Sequence, residues 1–120
     1  MVTYVQSDVY FTREITPKSL IEIFNALGVK PEGKVAVKIS TGESNKSHQL
    51  KPELIRDFVN GIDGTLVENN TIYEGNRDTH EKHLQAVKDH GYTVANGFKY
   101  ELDLLDADSD MDIPMQDTIG

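Results

Sequence analysis

The chain reads as a single α/β domain: a mostly parallel sheet with crossover helices and a C-terminal β-hairpin. Two patterns carry that expectation. Short segments that alternate apolar and polar residues are separated by segments with an apolar stripe at helical spacing, an order that implies βαβ units and parallel strands. The tail then alternates again, with Tyr100, Leu102 and Leu104 before an acidic "DADSD" and Ile113 and Met115 after it, which reads as a hairpin.

The first helix is predicted over residues 16–29. Thr16 can cap it, Pro17 fits its first position, Gly28 can close it, and Leu20, Ile21, Phe24 and Leu27 form its stripe. "KVAVKIS" follows as a strand, with Val35, Val37 and Ile39 on one face and Ala36, Lys38 and Ser40 on the other. After the polar "TGESNKSHQ", the stretch "KPELIRDFVNGI" reads as a second helix with Leu54, Ile55, Phe58, Val59 and Ile62 facing inward. "GTLVENN" reads as the next strand. A third helix is expected from about residue 79 to 90, with Asp78 and Glu81 at capping-box spacing and Gly91 as its stop. "YTVANGF" is expected as a third strand, and the opening "TYVQSDVYFT" as an additional edge strand.

Composition narrows the function classes. The 120 residues suffice for one hydrophobic core, and 38% hydrophobic with 27% charged residues describe a globular chain. No apolar run approaches the roughly 20 residues of a membrane span, and no signal-peptide pattern opens the sequence. The expectation is therefore a cytoplasmic protein with no membrane partner. Net charge is −8, and residues 101–120 hold seven acids and no Lys or Arg. A nucleic-acid partner is not expected, because phosphate binding needs a cationic surface. There is no cysteine. This removes disulfides, thiol nucleophiles and any cysteine-ligated Fe–S cluster within the chain.

Ligands in open α/β sheets bind beyond the carboxyl ends of the strands. Two loops occupy that edge, "KISTGESNKSH" and "ENNTIYEGNRD". In the second, Glu68 can act as a base or metal ligand, Asn70, Thr71 and Tyr73 supply an amide and hydroxyls, and Arg77 can grip a carboxylate or phosphate. In the first, Lys38, Ser40, Thr41 and Glu43 would form the opposite wall. Expected partners of this edge are a small anionic ligand or a metal.

Three of the four histidines, His80, His83 and His90, lie in the third helix. At about 100° per residue all three share the apolar stripe with Ala86 and Val87. They can be structural, hydrogen-bonded imidazoles. Alternatively, His80 and His83 can share a metal with Glu68 as the third ligand. His83 is placed to orient or protonate a substrate, and His90 is the one most consistent with a purely structural role. Asp106, Asp108, Asp110, Asp112 and Asp117 imitate EF-hand spacing, but Met111 stands where that loop needs glycine, which favours an exposed acidic turn.

The motifs "VYFTREITPKSLIEIFNALG", "KVAVKISTGE", "LKPELIRDFV", "GTLVENNTIYEGNRDTHEKHLQAVKDHGYT" and "LDLLDADSDMDIP" resemble, in order, the N-terminal region of the bacterial domain-of-unknown-function family 362, uncharacterised Fe–S-centre proteins. The pattern residues here are Glu68, Asn70, Thr71, Tyr73, Gly75, Arg77, His83, His90 and Gly91; His80 is outside it. The resemblance implies that the chain corresponds to the N-terminal segment of a longer pattern whose cluster-binding cysteines lie further on. It implies a ligand- or metal-binding half-domain of a redox-associated protein. The alternative is a non-catalytic interaction module that docks on a C-terminal domain or partner chain.

Overall fold

The computed structural model describes residues 6–43 and 48–105. Three helices and a three-stranded parallel sheet form one small α/β unit. The elements are α1 (Pro17–Ala26), β1 (Val35–Lys38), α2 (Pro52–Gly61), β2 (Gly64–Asn69), α3 (His80–Asp89), a single 3-10 turn (Val94–Asn96) and β3 (Asp103–Leu105).

Local chemistry sets the helix ends. Thr16 caps α1 by accepting from the Ser19 N–H at 3.0 Å, and the Ser19 hydroxyl accepts from the Thr16 N–H at 2.9 Å. Pro17 takes the first helical position, where a missing N–H is harmless. At α3 the capping residue is Thr79, whose hydroxyl accepts from Lys82 N–H. The expected Asp78–Glu81 box is thus displaced by one residue. Asp78 instead faces the Lys82 ammonium at 3.1 Å. Gly91, at φ +82°, closes α3 as expected.

The strand order is β1-β2-β3, with Lys38 opposite Val67 and Val67 opposite Asp103. Successive strands advance the same way across the sheet, so right-handed crossovers place both connecting helices on one side. The core follows: Ile55 and Val59 of α2 and Val87 of α3 join Ile39, Leu66, Tyr92, Phe98, Leu102 and Leu104 in one cluster. Full burial of each such side chain stabilises the fold by about 1.5–3 kcal/mol. α1 packs on α2, with Phe24 and Phe58 edge to face at 4.8 Å between centroids. The second face of the sheet, carrying Ala36, Lys38, Thr65, Val67, Asn69, Asp103 and Leu105, has no helix over it among the described residues.

Two expectations are corrected here. "YTVANGF" is not a strand. Tyr92 and Phe98 are buried, and the segment between them makes the 3-10 turn, ending at Gly97 with φ +100°. Apolar residues at its two ends imitate a strand, while the turn lets both rings enter the core from one side. The third strand comes instead from "DLL" in the tail, and it pairs parallel to β2. The rest of the expected hairpin, including the acidic turn of Asp106, Asp108, Asp110 and Asp112 and also Asp117, lies outside the described residues. So does the beginning of the expected opening strand, whose described part, residues 6–12, is not a strand.

Candidate functional site

The carboxyl ends of β1 and β2 lead into two loops, and one buried carboxylate ties them together. Glu68 is the fifth residue of β2 and points to the helix-covered face, where it is 2% exposed. A carboxylate so placed is costly unless its lone pairs are filled. Here four donors fill them. Oε1 accepts from Thr41 N–H at 3.0 Å and from Arg77 Nη1 at 2.8 Å. Oε2 accepts from the Thr41 hydroxyl at 2.7 Å and lies 2.8 Å from His83 Nε2. The donors come from the loop after β1, the loop after β2 and α3, so one side chain links three segments.

Arg77 extends the network. Its Nε donates to Glu43 Oε1 at 3.1 Å and its Nη2 to the Tyr73 hydroxyl at 2.7 Å. Glu43 Oε2 accepts from Asn76 N–H at 2.7 Å. A guanidinium carries five N–H groups, and three of them are engaged by described residues. The fork therefore spans two carboxylates, a geometry that lysine could not reproduce. The loop that presents Arg77 is closed by Thr71 N–H donating to the Arg77 carbonyl at 2.8 Å, and the Thr71 hydroxyl donates to the Tyr73 carbonyl at 3.0 Å. Gly75 fits because a Cβ there would stand 3.0 Å from the Glu43 carboxylate.

His83 is fully buried between two oxygens, Glu68 Oε2 and Asn70 Oδ1, the latter 2.9 Å from its Nδ1. A singly protonated ring would keep the bond to the carboxylate and take the Asn70 amide turned end for end. His90 Nε2 donates to the Glu43 carbonyl at 2.9 Å, pinning the first loop to the end of α3.

These contacts set the charge states. Burial alone would raise the Glu68 pKa, but hydrogen bonds from His83 and from both Thr41 groups outweigh it and hold the carboxyl at about 2. Burial likewise works against the Arg77 cation, and the bonds to Glu43 and Glu68 override it, raising its pKa further. The Asn76 N–H and then the Arg77 guanidinium hold Glu43 below the usual carboxylate range, against the opposing effect of burial.

Of the residues singled out in the sequence, Thr41, Glu43, Glu68, Asn70, Tyr73, Arg77 and His83 are brought into one network. Lys38 and Ser40 are not. Both are exposed, Lys38 lies on the second face of the sheet, and its ammonium donates to the Ile39 carbonyl at 2.7 Å. His80 is also exposed rather than on the inner stripe, although α3 begins at that residue and His83, three positions on, is fully buried. The candidate triad of His80, His83 and Glu68 is therefore not assembled. Among the described residues, no three His, Asp or Glu side chains are grouped to hold an ion. With its lone pairs filled and its pKa near 2, Glu68 is placed to organise its neighbours rather than to take up a proton near neutral pH. The Glu43 bridge to Asn76 and Arg77 was not visible in the sequence, since no local spacing signals a contact between two separate loops.

No family model, curated protein or solved structure matches the chain.

Proposed function

We propose that the carboxyl-end edge of the sheet is a ligand-binding site for a small anion, in a half-domain of a redox-associated protein of the kind the sequence motifs resemble. The observation that carries this reading is the asymmetry of Arg77's partners. Two are carboxylates on the inner side, and the third is the hydroxyl of Tyr73, whose side is 56% exposed. A carboxylate or phosphate oxygen can replace that neutral hydroxyl at Nη2. The exchange trades a neutral acceptor for a charged one, which makes a stronger bond. Glu68, Thr41, His83 and Asn70 hold the guanidinium's other side in place, so little order has to be created on binding. The two carboxylates already paired with Arg77 keep the affinity modest.

Amide and arginine side-chain NMR signals followed during titration with inorganic phosphate and with citrate test this. Saturable shifts at Tyr73, Arg77 and Asn76, strengthened in Tyr73→Phe and lost in Arg77→Lys, are expected. The absence of saturable shifts near Arg77 with either anion would contradict the reading.

A further inference from the structure

Parallel sheets are almost always covered on both faces. Here α2 and α3 pack on the same face, and the described residues leave the other bare. That face has a definite chemical order. The register puts Lys38 of β1, Val67 of β2 and Asp103 of β3 in one row across it. Lys38 and Asp103 are exposed and Val67 is half-buried. Two strand spacings of about 4.8 Å separate the Lys38 and Asp103 backbones by roughly 10 Å, and the Lys38 ammonium donates to the Ile39 carbonyl rather than to Asp103. The row is thus a cation, an apolar centre and an anion, held apart by the sheet itself. Ala36, Thr65 and Leu105 flank Val67 on the same face and carry no charge.

Such a row is complementary to itself. A two-fold axis running along β2, between two faces stacked about 10 Å apart, places β1 of one copy over β3 of the other. Val67 then meets Val67 of the second copy. Lys38 of each copy faces Asp103 of the other, forming two equivalent ion pairs at the rim of an apolar centre. The alternative two-fold axis, across the strands, would stack Lys38 on Lys38 and is disfavoured by repulsion.

From this arrangement we infer that the bare sheet face is a self-association surface, on which a second copy of this chain docks with its β1 over β3. The inference concerns the face opposite the Glu68–Arg77 network and does not depend on the ligand proposed there. A three-stranded face is smaller than the roughly 800 Å² per partner of a standard interface, so the dimer is weak and concentration-dependent. Its ion pairs lie at the rim, so added salt loosens it.

Sedimentation velocity on the full chain, from micromolar to millimolar concentration, tests the inference. The expected result is a shift from monomer to dimer as concentration rises, abolished in Val67→Glu. Lys38→Glu and Asp103→Lys should each weaken association several-fold, and the two together in one chain should restore it, because the swap re-creates both pairs. Circular dichroism of each variant establishes that it is folded. A chain that stays monomeric throughout overturns the inference. So does a dimer indifferent to Val67→Glu, or a double swap no better than the worse single change.

Discussion

Glu68 Oε1 lies 2.8 Å from Arg77 Nη1, with both side chains buried at the carboxyl end of the sheet. This pair decides how the two strand-end loops sit, because each partner also bonds the loop after β1, Glu68 through Thr41 and Arg77 through Glu43. A buried pair of this kind is not by itself a large source of stability, but removing one partner leaves the other charge buried and uncompensated.

Arg77→Met therefore destabilises the fold by about 3–5 kcal/mol, while Arg77→Lys loses less because an ammonium can still neutralise one carboxylate. Urea unfolding monitored by circular dichroism measures both. A loss below about 1 kcal/mol for Arg77→Met would show that the pair is solvated and that the loops are held otherwise.

Stability depends on pH through the same residue. The Glu68 carboxyl titrates at about 2 in the fold against an ordinary 4.5, so its ionised form is favoured by folding. Its contribution is complete above pH 4.5 and is lost as the pH falls toward 2; linkage puts it at about 3 kcal/mol. Glu43, Asp63 and Asp78 are also lowered and add to the acid slope. The informative quantity is the difference between wild type and Glu68→Gln, followed by unfolding between pH 7 and 2, and it should shrink as the pH drops. A difference that stays constant would place the Glu68 contribution outside ionisation.

Thr41→Val keeps the shape and the backbone N–H but removes the hydroxyl that reaches Glu68 Oε2. The cost is about 1–3 kcal/mol, since a buried lone pair of an ionised group is left short of a donor. The Glu68 pKa should rise with it. An unchanged midpoint for Glu68 in this variant would mean that the remaining donors set the charge state without the hydroxyl.

Gly42 leads into Glu43 at φ +83°, and a Cβ there would stand 2.6 Å from Gln49 Cβ. Gly42→Ala is strained by backbone and contact together and should cost about 1–3 kcal/mol. Hydrogen exchange should show Asn76 N–H, bonded to Glu43, losing protection before the amides of β2. Equal loss across both would indicate that the loop and the sheet open as one unit.

Elements with their own chemistry were legible in the sequence. The Thr16–Pro17 start of α1, the alternation of Val35, Val37 and Ile39, and the Gly91 stop all act within a few residues. Asp78 was expected to cap α3, but the neighbouring Thr79 takes that role and Asp78 pairs with Lys82 instead. The Tyr92–Phe98 segment misled because its apolar ends serve a turn, and Leu104 found its parallel partner β2 only through the folded sheet. In the site, the loop composition marked Glu68, Asn70, Tyr73 and Arg77, and helix periodicity marked His83. Periodicity could not separate exposed His80 from buried His83, because it places both on one stripe and does not show how far along the helix that stripe is covered. The pairing of Glu43 with Arg77 bridges 34 residues and has no local signal.

The most direct measurement is a carboxyl ¹³C NMR titration of Glu68 in the intact chain. The hydrogen bonds from His83 and Thr41 predict a midpoint near 2, moving upward in Thr41→Val and His83→Gln. A midpoint at or above the ordinary 4.5 would contradict a fully satisfied, ionised carboxylate at the centre of the site.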